Sequence, residues 1–206
     1  MRLLRPLSTG SPPPPARLMG RRVYLRLPDD RDWRPWADLR AASRDFLVPW
    51  EPTWPPDALT RDAFRRRLRR YGIDWREDTG YSFFIFRQGD HVLLGGVTLG
   101  NIRRGVAQSG TLGYWVGGAY ARQGYMTDAL NAVIAFAFQT LQLHRLEAAC
   151  LPSNAPSQGV LRKLGFRQEG LARKYLRING EWHDHLLFAL LAEDAGYQVP
   201  SERAVE

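Results

Sequence analysis

The chain has 206 residues, 44% of them hydrophobic, enough for one sizeable core and too little for two comfortable ones. A lone cysteine, Cys150, excludes an intramolecular disulfide framework and fits a reducing cytoplasm, and no apolar run approaches the roughly 18 residues of a membrane span. The formal net charge is +8, but residues 1–28 carry six arginines and no acid, so the remainder is close to balanced and a uniformly basic surface is excluded.

Residues 1–20 include SPPPPARLMG, which suits neither helix nor sheet and is expected to be a flexible tail. The folded body is expected over residues 21–195, with 196–206 as a second tail. Arg22 to Leu27 alternates as a strand. Asp29 or Asp30 then caps a helix reaching about Ser43, with Trp33, Trp36 and Ala37 at helical spacing. FLVPWEPTWPP, Phe46 to Pro56, is too rich in proline for regular structure, and its tryptophans either pack on the core or line a substrate groove.

Asp57 to about Trp75 predicts a second helix with Leu59, Ala63, Phe64, Leu68 and Tyr71 along its apolar stripe. Its arginines 65, 66, 69 and 70 form either a solvated face or a contact for RNA or an acidic partner. Tyr81 to Arg87 and Val92 to Ile102 read as strands. Gly95 and Gly96 in the second signal a bulge or a close backbone approach. Thr111 to Val116 completes an antiparallel meander.

The next stretch, ARQGYMTDAL, joins that strand to a helix expected from Thr127 to Leu143. A helix start carries unpaired N–H groups and roughly half a positive elementary charge, which favours a phosphate; Gly124 lets the backbone approach an anion and Arg122 adds charge. Leu146 to Leu151 is a strand, Pro156 to Leu164 a helix ended by Gly165, and Gly170 to Ile178 with Trp182 to Leu191 a closing hairpin about Asn179-Gly180. The fold class is therefore mixed α/β, about seven mostly antiparallel strands with helices on both faces.

The ARQGYMTDAL segment resembles the pyrophosphate loop of the GNAT superfamily of N-acetyltransferases, whose pattern is Q/R-x-x-G-x-G/A. Ala121 and Met126 depart from it. The order of elements is also that of the GNAT fold. GYWVG, PWEP at Pro49 to Pro52, Leu143 to Glu147, Asn154-x-x-Ser157, LRKLGFRQEG and NGEWHDH extend the similarity from Val23 onward to the RimJ/RimL group, which acetylates N-terminal alanines of ribosomal proteins.

The resemblance implies acetyl-coenzyme A as cofactor, no metal, and direct transfer through a tetrahedral intermediate. It places the pantetheine arm between the Thr111 and Leu146 strands, splayed at their ends, on Trp115 and Val116. The diphosphate falls on Arg122, Gln123, Gly124, Tyr125, Met126 and Thr127, and the far side of the cofactor on Asn154. Val116 N–H would meet the oxyanion. Glu147 is the candidate base, unless it is merely salt-bridged beside Arg145. The family's usual tyrosine acid is replaced by Leu161, which leaves Ser157 as thiolate donor or as a helix cap. A RimL-like glutamate is replaced by Leu176.

Trp50, Glu51 and Asp184 are assigned to the acceptor, with a structural hydrogen bond as the other role for Asp184. His183 and His185 share a strand face but lack a third metal ligand. Cys150, amid apolar residues, reads as a buried thiol. The partner is a protein N-terminus or a small amine, in the cytoplasm and without a membrane. A non-catalytic module that senses acetyl-coenzyme A or binds ribosomal RNA is the other class of reading.

Overall fold

The computed structural model describes residue 15 and residues 17–198, and its expected strands join in one eight-stranded sheet. The strands are β1 (Leu18–Met19), β2 (Val23–Arg26), β3 (Gly80–Arg87), β4 (Leu93–Arg103), β5 (Ser109–Val116), β6 (Arg145–Cys150), β7 (Arg167–Ile178) and β8 (Glu181–Leu191). Their spatial order is β1-β2-β3-β4-β5-β6-β8-β7, and only the β5–β6 pair is parallel. The parallel pair is where the chain needs a crossover, and the helix after the glycine loop supplies it.

The helices are α1 (Trp33–Ala42), α2 (Arg44–Leu47), α3 (Arg61–Arg76), α4 (Tyr125–Ala135) and α5 (Ala155–Lys163). Asp29 accepts from Arg31 N–H and Asp32 accepts from Asp29 N–H, a reciprocal box ahead of α1, while Arg26 grips the buried Asp32 at 2.7 and 2.6 Å. On α4, Met126, Ala129, Leu130, Val133 and Ile134 recur at three- and four-residue intervals and are buried against one face of the sheet. The other face carries α1 and α3, where Trp36, Phe64 and Phe84 form a smaller core.

Two boundaries need correction. Leu18 and Met19, assigned to the tail, pair with Leu25 and Tyr24 as β1. At the other end Tyr197, assigned to the C-terminal tail, donates its amide to Ala192 O at 2.8 Å and packs its ring 5.5 Å from that of Phe138. The expectations for residues 1–14, 16 and 199–206 lie outside the described residues. The long helix also starts earlier than expected: Gly124, at φ +80°, is its N-cap rather than Thr127, and past Ala135 it loosens into a π-helical turn over Phe136–Thr140.

Gly95 and Gly96 report a close approach. A Cβ on Gly95 would stand 2.2 Å from Trp115 O, and one on Gly96 would stand 2.7 Å from the Trp115 indole nitrogen. The bare backbone lets β5 lie tight on β4 and lets the Trp115 ring cross it.

Asp128 holds the first strands to α4. Its carboxylate accepts from the amides of Arg21 at 2.8 Å, Arg22 at 2.7 Å and Val23 at 3.2 Å. Asp128→Ala strands three donors at once and is expected to cost on the order of 2 kcal/mol, read as a lower urea midpoint with an unchanged slope.

Candidate active site

The β5–β6 ladder runs from Ser109/Arg145 to Leu112/Ala148 and stops. β5 nevertheless continues along β4 as far as Val116 opposite Gly95, and β6 along β8 as far as Cys150 opposite Leu186. The two central strands therefore part, leaving a slot that begins at Gly113. Gly117 N–H is given to Leu94 O at 2.8 Å. Neighbouring amides along a strand point to opposite edges, so Val116 N–H faces the slot and Trp115 N–H faces β4. Of the two residues expected at the arm, Val116 offers its backbone there, whereas Trp115 turns its backbone to β4.

At the slot's end the chain enters the loop before α4. Arg122 and Gly124 both take positive φ, +59° and +80°. Ala121 N–H bonds to Gly118 O, and Asp128 N–H bonds to Gly124 O. Between them, among the described residues, no group of the chain accepts from the amides of Arg122, Gln123, Gly124, Tyr125, Met126 and Thr127. These free amides at the start of a helix suit a diphosphate. Arg22, not foreseen, joins them: its guanidinium bonds to Gln123 O, lies 4.6 Å over the Tyr125 ring, and would stand 3.3 Å from a Cβ on Gly124.

At the slot's other lip, Asn154 caps α5 by accepting from Ser157 N–H at 3.1 Å. Ser157 is thus not the cap. Its hydroxyl meets that of Tyr114, from β5, at 2.8 Å. Burial pushes the Tyr114 phenol up to about 12, with the Ser157 bond acting the other way. Burial likewise raises the buried Cys150 thiol above its ordinary range, so it stays protonated and is a poor nucleophile. Tyr114 escaped sequence reading because the family's tyrosine comes from a helix. The available signal was its place on the same strand face as Leu112 and Val116.

On the opposite face of the sheet a groove of about 440 Å³ opens beside β5. Its centre is the buried Arg40, which pairs with Glu51 and lies 4.4 Å over the Trp54 ring and 4.9 Å over the Trp115 ring. Trp54 donates its indole N–H to Glu51 at 2.7 Å. Glu51 lines the groove. Trp50 closes a short 3₁₀ turn, Val48–Trp50, and is not on the lining. The hairpin tip meets this loop, where Asn179 donates its amide to Glu51 O at 3.0 Å.

Two expected residues serve structural ends. Glu147 accepts from Arg103 at 3.0 Å and Arg145 at 2.9 Å, and lies off the groove lining beside the closed part of the ladder. Asp184 accepts from Lys174 N–H at 2.8 Å and pins a bulge in β7. The RNA contact kept as an alternative to a solvated face for the arginine-rich helix finds no support: Arg61 and Arg65 share Asp30, Arg66 pairs with Asp57 and Arg70 with Asp74. Among the described residues no helix is long and apolar enough to cross a membrane, and no group of three His, Cys, Asp or Glu could hold a metal ion.

A sheet that parts at its centre beside an amide-rich helix start offers an extended ligand a strand-like edge and its anionic end a set of free N–H donors. Residues 22–167 match the sequence profile of the acetyltransferase (GNAT) domain, and the chain belongs to that family. It is 35% identical over 182 residues to the ribosomal protein uS5-alanine N-acetyltransferase of Escherichia coli, covering 88% of this chain and 93% of the relative. The crystal structure of ribosomal-protein-S5-alanine acetyltransferase from Vibrio fischeri superposes with a TM-score of 0.80 at 32% identity, covering 86% of this chain and 97% of that one. The Mycobacterium smegmatis RimJ structure, in complex with CoA-disulfide, gives 0.80 at 34% identity, covering 86% and 85%.

The Tyr114 shift has a testable sign. A phenol whose pKa is higher folded than unfolded adds stability in full below about pH 10, the unfolded value, and loses it as pH climbs toward 12. Tyr114→Phe should flatten the alkaline fall of the melting temperature, measured by calorimetry from pH 8 to 11.

Proposed function

We propose that this acetyltransferase modifies the N-terminal α-amino group of a protein, with acetyl-coenzyme A as donor and an alanine-started ribosomal protein as the acceptor class. The observation that carries the reading is the coincidence of free amides at residues 122–127, the inward Val116 N–H and the parted strands along a single line. Likeness to uS5-alanine N-acetyltransferases supports the acceptor. So does the groove, whose aromatic and polar lining offers an N-terminal residue both apolar contact and hydrogen-bonding groups.

The fit to the donor is residue by residue. Amides 122–127, with Arg22 and Arg122 beside them, take the diphosphate. The slot-facing backbone of β5 pairs with the arm as an added strand would. Asn154 holds the lip of the slot, its side-chain oxygen already spent on α5. The bound donor supplies an activated acetyl thioester.

On the acceptor side, the N-terminal residue lies in the groove against Trp54 and Trp115, whose rings are held by Arg40, seated between them and paired with Glu51. A peptide amine has a pKa of roughly 7.7–8.0, so part of it is already neutral at physiological pH. Val116 N–H faces the oxygen that becomes negative and needs no rearrangement to do so. Ser157, backed by the neutral Tyr114 phenol, returns a proton to the departing sulfur. Glu147, occupied by two arginines, takes no part in this path.

Gly124→Ala is expected to weaken coenzyme A binding at least tenfold by calorimetry, since the backbone is left-handed there and Arg22 fills the space. Ser157→Ala should keep that affinity and lower kcat by roughly 10- to 100-fold. Acetylation of polyamines with no transfer to any alanyl peptide would overturn the acceptor assignment.

A further inference from the structure

We infer that Arg67 selects acceptors carrying a carboxylate some way beyond the reacting amine, in a peptide the acidic side chain of its third or fourth residue. The inference deepens the acetyl-transfer reading above and rests on it. The floor of the groove fixes the acceptor's path. Ser82 of β3 lies opposite Thr98 of β4, and Thr98 opposite Gly113 of β5. In the next row on the same face Phe84 lies opposite Gly96, and Gly96 opposite Trp115. All six line the groove. The second row is filled, because the Trp115 indole nitrogen would meet a Cβ on Gly96 at 2.7 Å. The first row is shallow: Ser82 and Thr98 are small, their hydroxyls meet at 3.0 Å, and a Cβ on Gly113 would have nothing within 4 Å. This row is a corridor across the sheet from β3 to Gly113, where the slot begins.

Arg67 stands at the β3 end of that corridor. Helix α3 packs on β3 through Phe64, whose ring is 6.2 Å from that of Phe84. Arg67 and Tyr71, three and seven residues on, share that side of the helix, and both line the groove. The Arg67 guanidinium lies 5.4 Å over the Trp36 ring and donates to the Tyr71 hydroxyl at 3.4 Å. Its neighbours Arg61, Arg65, Arg66 and Arg70 are all paired with acids. Arg67, exposed, meets no carboxylate among the described residues, so it can close on a ligand without breaking an ion pair. The other two charged residues on the lining, Arg40 and Glu51, answer each other, and Arg67 leaves the groove with one positive charge in excess. Arg44, 5.2 Å over the Trp54 ring, lies off the lining.

Strand geometry sets the spacing of the ligand. β3 and β5 are two inter-strand steps apart, about 10 Å, and an extended peptide advances roughly 3.3 Å per residue. A chain whose amine reaches the slot at Gly113 therefore brings its third and fourth residues to β3, beside Arg67. The Ser82 and Thr98 hydroxyls, which can each donate or accept, face the peptide groups in between. A carboxylate there takes two parallel N–H bonds from the guanidinium, whereas the isosteric amide has one neutral oxygen to offer.

The test uses the full-length protein and alanyl hexapeptides in pairs that differ only by Glu or Gln at the third or the fourth position. Wild type should favour the Glu member of at least one pair by roughly fivefold in kcat/KM, carried by KM, and in affinity for the coenzyme A-loaded protein by calorimetry. The preference should shrink at high salt. Arg67→Gln should bring the pair to parity, and Arg67→Glu should favour a Lys peptide over its Gln twin. Arg66→Gln, which only releases Asp57, and Arg44→Gln should keep the wild-type preference. Equal treatment of Glu and Gln at both positions by wild type, a preference that survives Arg67→Gln, or one lost in Arg44→Gln alone overturns the inference. If no peptide is acetylated, the peptide reading falls, and the same comparison is made with a linear ω-amino acid of matching span and its amide. A preference for the acid that Arg67→Gln abolishes then upholds Arg67, and its absence overturns the inference as well.

Discussion

Two strands that begin a parallel ladder and then abandon it create the constraint on which the remaining architecture depends. Unpaired backbone groups in a protein's interior are costly unless something else meets them. β5 keeps one edge satisfied by lying tight on β4, which is why Gly95 and Gly96 can carry no side chain, and β6 keeps one edge satisfied on β8. What stays open is a single row of inward groups ending at the first turn of α4. Among the described residues, the amides of residues 122–127 and the slot-facing edge of β5 lie along one line, and this is the line on which the proposed donor rests.

Charge follows the same economy. Most arginines are answered locally, α3 by Asp30, Asp57 and Asp74, β6 by Glu147 and Glu169. Near the loop the pattern reverses. The one acid in the first turn of α4, Asp128, would repel a phosphate, but it spends its charge on the amides of residues 21–23, while Arg22 is left beside the glycine.

What could be read from the sequence was whatever is local. Asn179-Gly180, with φ of +45° and +89°, turns the hairpin as its composition requires, and Gly124 marks the loop because few other residues reach φ +80°. What could not be read joins residues far apart in the chain. Nothing in the alternation of β5 says that Tyr114 meets Ser157 on a helix forty-three positions later, or that Glu51 pairs with Arg40 between two indoles. Glu147 had the right face for a base, but Arg103 and Arg145 claim it. Leu18 and Met19 went unrecognised because two residues are too short for a period and the prolines before them dominate the composition.

The latch formed by Asp128 sets a limit for anyone shortening this protein. Gly20 donates to Val23 O and accepts from the Gln88 side chain, and the next two amides close on Asp128. A truncation that halts before Leu18 spares every one of these ties. One that cuts into Arg21 and Arg22 would release the first turn of α4 from the strands before it, so that a change made for better handling at the bench would surface as a loosened glycine loop some hundred residues away.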